Sequence, residues 1–222
     1  MPANNAPSTI RHITSFRDFL STGRPGPISP DLDLRDVADH LGTPQGWLFT
    51  DDAPHYWIYS EAGNDGPTLE IQFSATKPHP VHWFQIEDAG CIRGDVHLFG
   101  ASLAMTTDGL SGASKPSDFL RSGAFSSVTT ELHLGNDLEL TITTDRIAVF
   151  FSGTKPREGR VPADKQVIYR DLGGRLDFTD RDRAYRLGCI YSFHTVAAAR
   201  RSADALLTRA TCSVQQYLSM LR

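Results

Sequence analysis

The chain has 222 residues, of which 40% are hydrophobic and 22% are charged, a composition that excludes a wholly disordered or fibrous protein. At this length a single domain can bury a sizeable core. The formal net charge of −4 at pH 7 favours no class of partner by itself.

The chain divides into a short tail and one domain. Residues 1–9 are rich in Pro, Asn, Ser and Ala, and we expect them to form a flexible tail. Residues 10–222 are predicted to form a single α+β domain. Its best candidate for an internal boundary is the Gly-, Ser-, Thr- and Asp-rich stretch over 106–117.

Two helices are predicted at the start of this domain. The first is expected after Ser15 and ends near Gly23. The second begins with Asp31 or Asp33 as its cap and ends at Gly42. The spacing of its apolar residues places one face toward a core, formed by Leu34, Val37, Ala38 and Leu41.

Strand patterns follow the helices. Residues 55–60 are aromatic and β-branched, and the turn sequence over 64–67 connects them to a strictly alternating strand over 68–74. Residues 81–87 continue the sheet, and 96–99 form a further short strand. On the strand over 81–87 we expect one face to carry His82, Phe84 and Ile86 and the other to carry Val81, Trp83 and Gln85.

A second group of strands occupies the later part of the chain. Residues 127–134, 138–144 and 147–152 are predicted to form an antiparallel meander with tight connections. Weaker strand patterns cover 166–169 and 185–192.

The C-terminal region predicts the longest helix, over 195–221. Its apolar residues step by three and four positions, and they are Ala203, Leu207, Ala210, Val214, Tyr217 and Leu221. This seam packs on the protein's own sheet or, alternatively, forms a homodimer through 203–221. The predicted fold class is therefore α+β: a mainly antiparallel sheet in one or two segments, with helices on one face and a long C-terminal helix.

Localisation is predicted from two absences in the sequence. No apolar run approaches the roughly 20 residues that cross a bilayer, and residues 1–5 lack the basic and apolar regions of a secretion signal. Three widely spaced cysteines, Cys91, Cys189 and Cys212, fit reduced thiols better than a disulfide framework. We expect a cytoplasmic protein without membrane contact.

Charge is distributed unevenly along the chain. Residues 31–95 contain twelve acidic residues against three basic ones, a balance of −9. After Phe150 thirteen basic residues stand against seven acidic ones, a balance of +6. Either these charges cancel on the folded surface, or an acidic face meets a basic partner whose encounter the field accelerates.

His79 and His82, which Cys91 and His97 follow, are the donor types of a zinc site. Against this site, residues three apart on a strand point to opposite faces, and prolines interrupt the segment.

Ser102 follows a strand, as the nucleophile serine does in the strand–turn–helix motif of hydrolases. The residues after Ser102 have low helix propensity, which argues against this motif. A magnesium nuclease centre at Asp65, Glu70 and Gln72 has no accompanying lysine. We therefore assign no catalytic residue, metal or cofactor.

Nucleotide and nucleic-acid binding are disfavoured. The chain has no phosphate-binding glycine loop, and its C-terminal arginines are interleaved with carboxylates.

The segment 34–88 carries a resemblance. A helix ending in Leu-Gly and a proline leads to an aromatic-rich strand, then to Leu69-Glu70-Ile71-Gln72-Phe73, and then to Trp83-Phe84-Gln85-Ile86-Glu87. This pattern resembles small actinobacterial proteins of unknown or toxin-immunity type. It covers about a quarter of the chain, and it departs from the family pattern at Gly66-Pro67-Thr68, where Tyr-Gly usually stands.

The resemblance implies an immunity-like protein that binds a basic toxin through an acidic face and neutralises it. The residues expected to contact this partner are Asp51, Asp52, Trp57, Tyr59, Glu61, Asp65 and Glu70. Two alternatives remain. One is a hydrolase or metal-dependent enzyme that uses His79, His82, His97 and Ser102, and the other is a structural subunit that oligomerises through the C-terminal helix.

Overall fold

The computed structural model describes residues 10–50, 53–61, 66–100, 102–123, 125, 127–132, 138–144, 146–153, 182, 185–192 and 208–219. The predicted tail over 1–9 and the weak strand over 166–169 lie outside these residues.

The described chain contains twelve strands and four short helices. The strands are β1 (His12–Ser15), β2 (Gly46–Thr50), β3 (Ala53–Tyr59), β4 (Thr68–Phe73), β5 (Val81–Glu87), β6 (Val96–Phe99), β7 (Leu103–Thr106), β8 (Ser127–Leu132), β9 (Leu138–Thr143), β10 (Ile147–Gly153), β11 (Tyr185–Ser192) and β12 (Thr208–Ser213). The helices are α1 (Phe16–Thr22), α2 (Leu34–Leu41), α3 (Pro116–Arg121) and α4 (Val214–Ser219). None of these helices is long and apolar enough to cross a membrane.

The strands form two sheets. Nine strands pair in the order β12-β8-β9-β10-β11-β5-β4-β3-β2, with every neighbouring pair antiparallel. The second sheet has the order β1-β7-β6, in which β1 and β7 are parallel. This arrangement confirms a mixed α/β fold with mostly antiparallel sheet. Because β5 pairs with β11, the two predicted groups of strands meet in one sheet, except for β6, which belongs to the smaller sheet.

Local signals explain the first two helices. The Ser15 side chain accepts a hydrogen bond from the backbone N–H of Asp18, and Gly23 ends α1 with a positive φ of 70°. In α2 the side chains of Asp33 and Asp36 cap each other's backbone N–H groups. Both helices are confirmed where the sequence predicts them.

The predicted faces of β5 need correction at its first residues. Phe73 pairs with Val81 and Gln72 pairs with Trp83, so His82 is an extra residue in the ladder, a β-bulge. The bulge turns Val81 toward the buried face and leaves His82 exposed. The prediction that His82 shares a face with Phe84 was therefore wrong.

The long C-terminal helix is also wrong in part. Residues 208–213 form β12, which pairs in full with β8, and only the six residues of α4 are helical after it. Thr208, Thr211, Cys212 and Ser213 have low helix propensity and suit a strand. Residues 195–207, which belong to the predicted helix, lie outside the residues that the structure describes. A continuous helical seam for a homodimer through 203–221 is therefore not formed.

One buried cluster unites both sheets and the helices. It includes Phe19 of α1, Ile71 of β4, Phe99 of β6, Phe119 of α3 and Ile142 of β9. The stretch over 106–117 connects β7 to α3, and Leu110 within it is buried in the same cluster. The core therefore continues across the proposed internal boundary.

Candidate protein-interaction surface

The half of the large sheet formed by β2 to β5 has a buried face and a second face of mixed character. Leu69, Ile71 and Phe73 point into the core. Residues directly opposite in an antiparallel ladder share a face, and the registers place Ile58 and Gln85 beside Glu70 on the other side. We call this side the outer face, and it carries Leu48, Tyr56, Ile58, Glu70, Gln72, Trp83, Gln85 and Glu87.

Two carboxylates on the outer face converge on one amide. The Nε2 of Gln85 donates to Oε2 of Glu70 at 2.8 Å and to Oε1 of Glu87 at 2.5 Å. Gln85 is only 7% exposed, so this amide is held within the surface rather than extended into water. The network fixes two negative groups close together on neighbouring strands.

The electrostatics of Glu70 follow from this crowding. Burial raises the pKa of the Glu70 carboxyl above its ordinary value of 4.5, and the negative charges of Glu87 and Asp88 raise it further. The hydrogen bond from Gln85 acts in the opposite direction. A carboxylate in this position gains stabilisation when a cation approaches, because its charged form is disfavoured without one.

Apolar and aromatic side chains flank these carboxylates. Tyr56 of β3 and Trp83 of β5 are half-buried, and both are paired with Gln72 of β4, which lies between them. Ile58 of β3 is paired with Glu70. Aromatic residues such as Trp and Tyr are enriched in protein-binding surfaces and among the residues that contribute most to binding. The outer face can therefore supply both anchors and charge.

Some residues predicted to contact a partner lie elsewhere. Tyr59 is fully buried, and its hydroxyl donates to the carbonyl oxygen of Gly42 at 3.1 Å, so its assignment to a contact surface was wrong. Burial raises the pKa of this phenol. Trp57 shares the inner face, where its ring meets Phe73 edge to face at a centroid distance of 5.0 Å.

The remaining predicted residues divide into two groups. Glu70 lies on the outer face, and Glu61 is half-buried just after β3. Asp51, Asp52 and Asp65 lie outside the described residues. Sequence reasoning missed Ile58, although it is opposite Glu70 in the ladder of β3 and β4 and therefore shares its face.

The residues of the possible zinc site have separate surroundings in the structure. The Nδ1 atom of His79 lies 3.0 Å from the carbonyl oxygen of Ser74, whereas His97 is buried with its Nε2 3.4 Å from the carbonyl oxygen of Pro67. Cys91 is exposed after β5. Within the described part of the chain, no group of three or more His, Cys, Asp or Glu residues could hold a metal ion.

Ser102 does not stand in a nucleophile elbow. It lies in the turn between β6 and β7, and a strand follows it where the hydrolase geometry requires a helix. Its carbonyl oxygen accepts hydrogen bonds from the backbone N–H groups of Arg11 and His12, and the residue is buried. Its role here is to anchor the start of β1.

The edge strand β2 adds an apolar border to the outer face. Among the described residues it is the last strand of the large sheet, and Trp47, Leu48 and Phe49 expose 59%, 42% and 53% of their surface. Sequence reasoning did not single out this strand. Its signal was an apolar run without alternation or charge between Gly46 and Thr50.

Comparison with known proteins adds no relative: no protein-family model, curated protein or solved structure matches this chain.

Proposed function

We propose that this chain is a protein-binding domain of immunity type that neutralises a basic toxic effector in the cytoplasm. The observation that carries the proposal is the pair of carboxylates, Glu70 and Glu87, held on one buried amide beside half-buried aromatic rings. The resemblance of residues 34–88 to immunity-type proteins supports the same function.

The physical basis is the relief of crowded negative charge. Because the charged form of Glu70 is disfavoured by burial and by Glu87, a lysine or arginine of the partner would gain more here than at an isolated surface carboxylate. Tyr56 and Trp83 would supply the apolar contact that excludes water around the ion pairs. The balance of −9 over residues 31–95 would accelerate the encounter.

The proposal requires the helices and the partner to lie on opposite sides of the sheet. We propose that the helices cover the inner side of the sheet, since Phe16, Phe19 and Leu20 of α1 share the core cluster with Leu69 and Ile71. The partner would then bind on the opposite side, at the outer face of β2 to β5.

The test is direct binding to the products of the genes adjacent to its own. Each product is purified and titrated with the chain by calorimetry, and each is expressed in cells with and without the chain. We expect one basic product to bind with micromolar affinity or better and to lose its toxicity when the chain is present. If no neighbouring product binds and none is neutralised, the proposal is wrong.

Two double variants locate the binding face. E70Q/E87Q removes both outer-face carboxylates and should weaken binding by about tenfold or more. D39N/D95N removes the same net charge at two exposed positions elsewhere and should have a much smaller effect. Equal losses would show that net charge alone is responsible and would overturn the assignment to the outer face.

A further inference from the structure

We propose that β2 is a docking edge, and that a basic partner binds by adding an extended strand alongside Gly46–Thr50. This inference deepens the proposed function, on which it rests for the partner's positive charge. It names a mode of docking that the outer-face carboxylates do not require.

The edge lacks the devices that keep sheet edges from pairing. Natural proteins place lysine, other charged residues or proline on edge strands. These residues prevent the unpaired backbone N–H and C=O groups of the edge from pairing with another strand. Residues 46–50 contain none of these. By contrast β12, the outermost strand at the other end of the described large sheet, contains Arg209.

The ladder between β2 and β3 contains a β-bulge, but the extra residue does not belong to β2. Leu48 pairs with Tyr56 and Phe49 pairs with Pro54, so the extra residue of this bulge is His55 of β3. All five residues of β2 therefore remain extended and in sequence. A partner strand would meet a continuous edge.

Side chains on both faces of β2 are apolar and exposed. Trp47 lies opposite Trp57 on the inner side, and Leu48 lies opposite Tyr56 on the outer side. By contrast, Ile13 in the edge strand β1 is 74% exposed, but the next residue, Thr14, is buried. An added strand on β2 would bury apolar surface on both sides in addition to making main-chain hydrogen bonds.

Charge identifies a basic partner rather than a second copy as the occupant. Gly46 of this edge is opposite Ile58 of β3, and Ile58 is opposite Glu70 of β4 on the outer face. Asp51 and Asp52 follow β2 directly in the chain. Two copies meeting here would bring their acidic segments together, whereas a strand carrying lysine or arginine would be attracted.

The experiment uses the full chain and capped octapeptides as probes. The first peptide alternates lysine and valine, the second replaces lysine with glutamate, and the third keeps the lysines but has proline at its central valines. Binding is measured by calorimetry, and amide hydrogen exchange is followed at residues 46–50. We expect the lysine–valine peptide to bind and to slow exchange in β2, and the other two to do neither.

Two single variants test whether peptide binding depends on β2 or only on the charge of the protein. L48K places a positive charge on an exposed position of β2 and should weaken peptide binding by about tenfold. I13K makes the same change on the exposed edge strand β1 and should leave binding unchanged. Equal binding of the proline peptide, protection only outside β2, or a dimer of the chain through β2 would each overturn the inference.

The same variants distinguish this inference from the proposed function. If E70Q/E87Q abolishes neutralisation of the effector while L48K leaves its binding intact, the outer face is the site and strand addition is wrong. If no neighbouring product is neutralised but the lysine–valine peptide still adds to β2, the proposed function fails and the docking edge remains.

Discussion

The hydroxyl of Tyr217 donates a hydrogen bond to the carboxylate of Asp182 at a distance of 3.0 Å. Asp182 is only 5% exposed, and it also accepts from the backbone N–H and the hydroxyl of Ser117, at 3.0 and 2.6 Å. One buried carboxylate therefore joins the first turn of α3 to α4 near the end of the chain. A buried charge requires such donors, because it has been removed from water.

Tyr217→Phe should lower the free energy of unfolding by about 1.5 to 3 kcal/mol, since it removes a donor from a buried carboxylate. Tyr59→Phe is the matched control, because it removes the same hydroxyl from the neutral carbonyl of Gly42 and should cost about 0.5 to 1.5 kcal/mol. Urea denaturation measures both. A loss for Y59F as large as that for Y217F would contradict this role of Asp182.

Gly112→Ala should destabilise the protein by about 1 to 3 kcal/mol, the usual cost of overpacking. A methyl group at Gly112 would overlap the carbonyl oxygen of Gly90, which is backbone and cannot move aside like a flexible side chain. Gly46→Ala is the control, because a methyl group there would make ordinary contacts with Ile58. The melting temperature of Gly112→Ala should be clearly lower than that of Gly46→Ala. Similar melting temperatures would show that the backbone at Gly90 can move away from the added methyl group.

Glu70 should make the protein less stable as pH rises through its titration. Its pKa in the folded state is raised above 4.5, mainly by burial, so the folded chain holds this proton more tightly than the unfolded chain. The contribution of Glu70 to the free energy of unfolding is therefore complete below pH 4.5 and is lost as pH rises through the raised pKa. Glu70→Gln should remove this decline in a series of urea midpoints. An unchanged slope in E70Q would exclude Glu70 as its source.

His97 should act in the opposite direction. Burial lowers its pKa below 6.5, although the carbonyl of Pro67 and the charge of Glu61 favour the protonated form. The unfolded chain then takes up the proton first, so stability is complete above pH 6.5 and is lost as pH falls toward the lowered pKa. His97→Gln should reduce that loss. If the acid side of the stability profile of H97Q matches wild type, the titrating group lies elsewhere.

The parts of the fold that follow local rules could be predicted from the sequence. Ser15 and Asp33 begin their helices by capping, and β4 follows from strict alternation. The bulge at His82 could not be predicted, because it depends on how β5 pairs with β4.

The end of the chain shows a second limit. Spacings of three and four residues favour a helix, but the ladder with β8 makes residues 208–213 a strand. Tertiary pairing overrode the periodicity there.

The residues expected on the candidate surface do not all share one face of the sheet. Glu70 lies on the outer face, whereas Trp57 and Tyr59 lie on the inner face with the core. Parity in β3 depends on its register with β4, which a single sequence does not show. The place of β2 at the end of the described sheet depends on strand order, which is a property of the whole sheet.

The junction of β5 and β11 has a consequence for how the protein folds. Only Ile86 with Ile190 and Gln85 with Tyr191 pair there, and the Ser192 hydroxyl extends the junction by bonding the backbone N–H and carbonyl of Phe84. Ser192 and Phe84 are separated by 108 positions in the chain, so this contact closes a very long loop. We expect the hairpins on each side to form early and this junction to form late, which makes it the step that limits the folding rate.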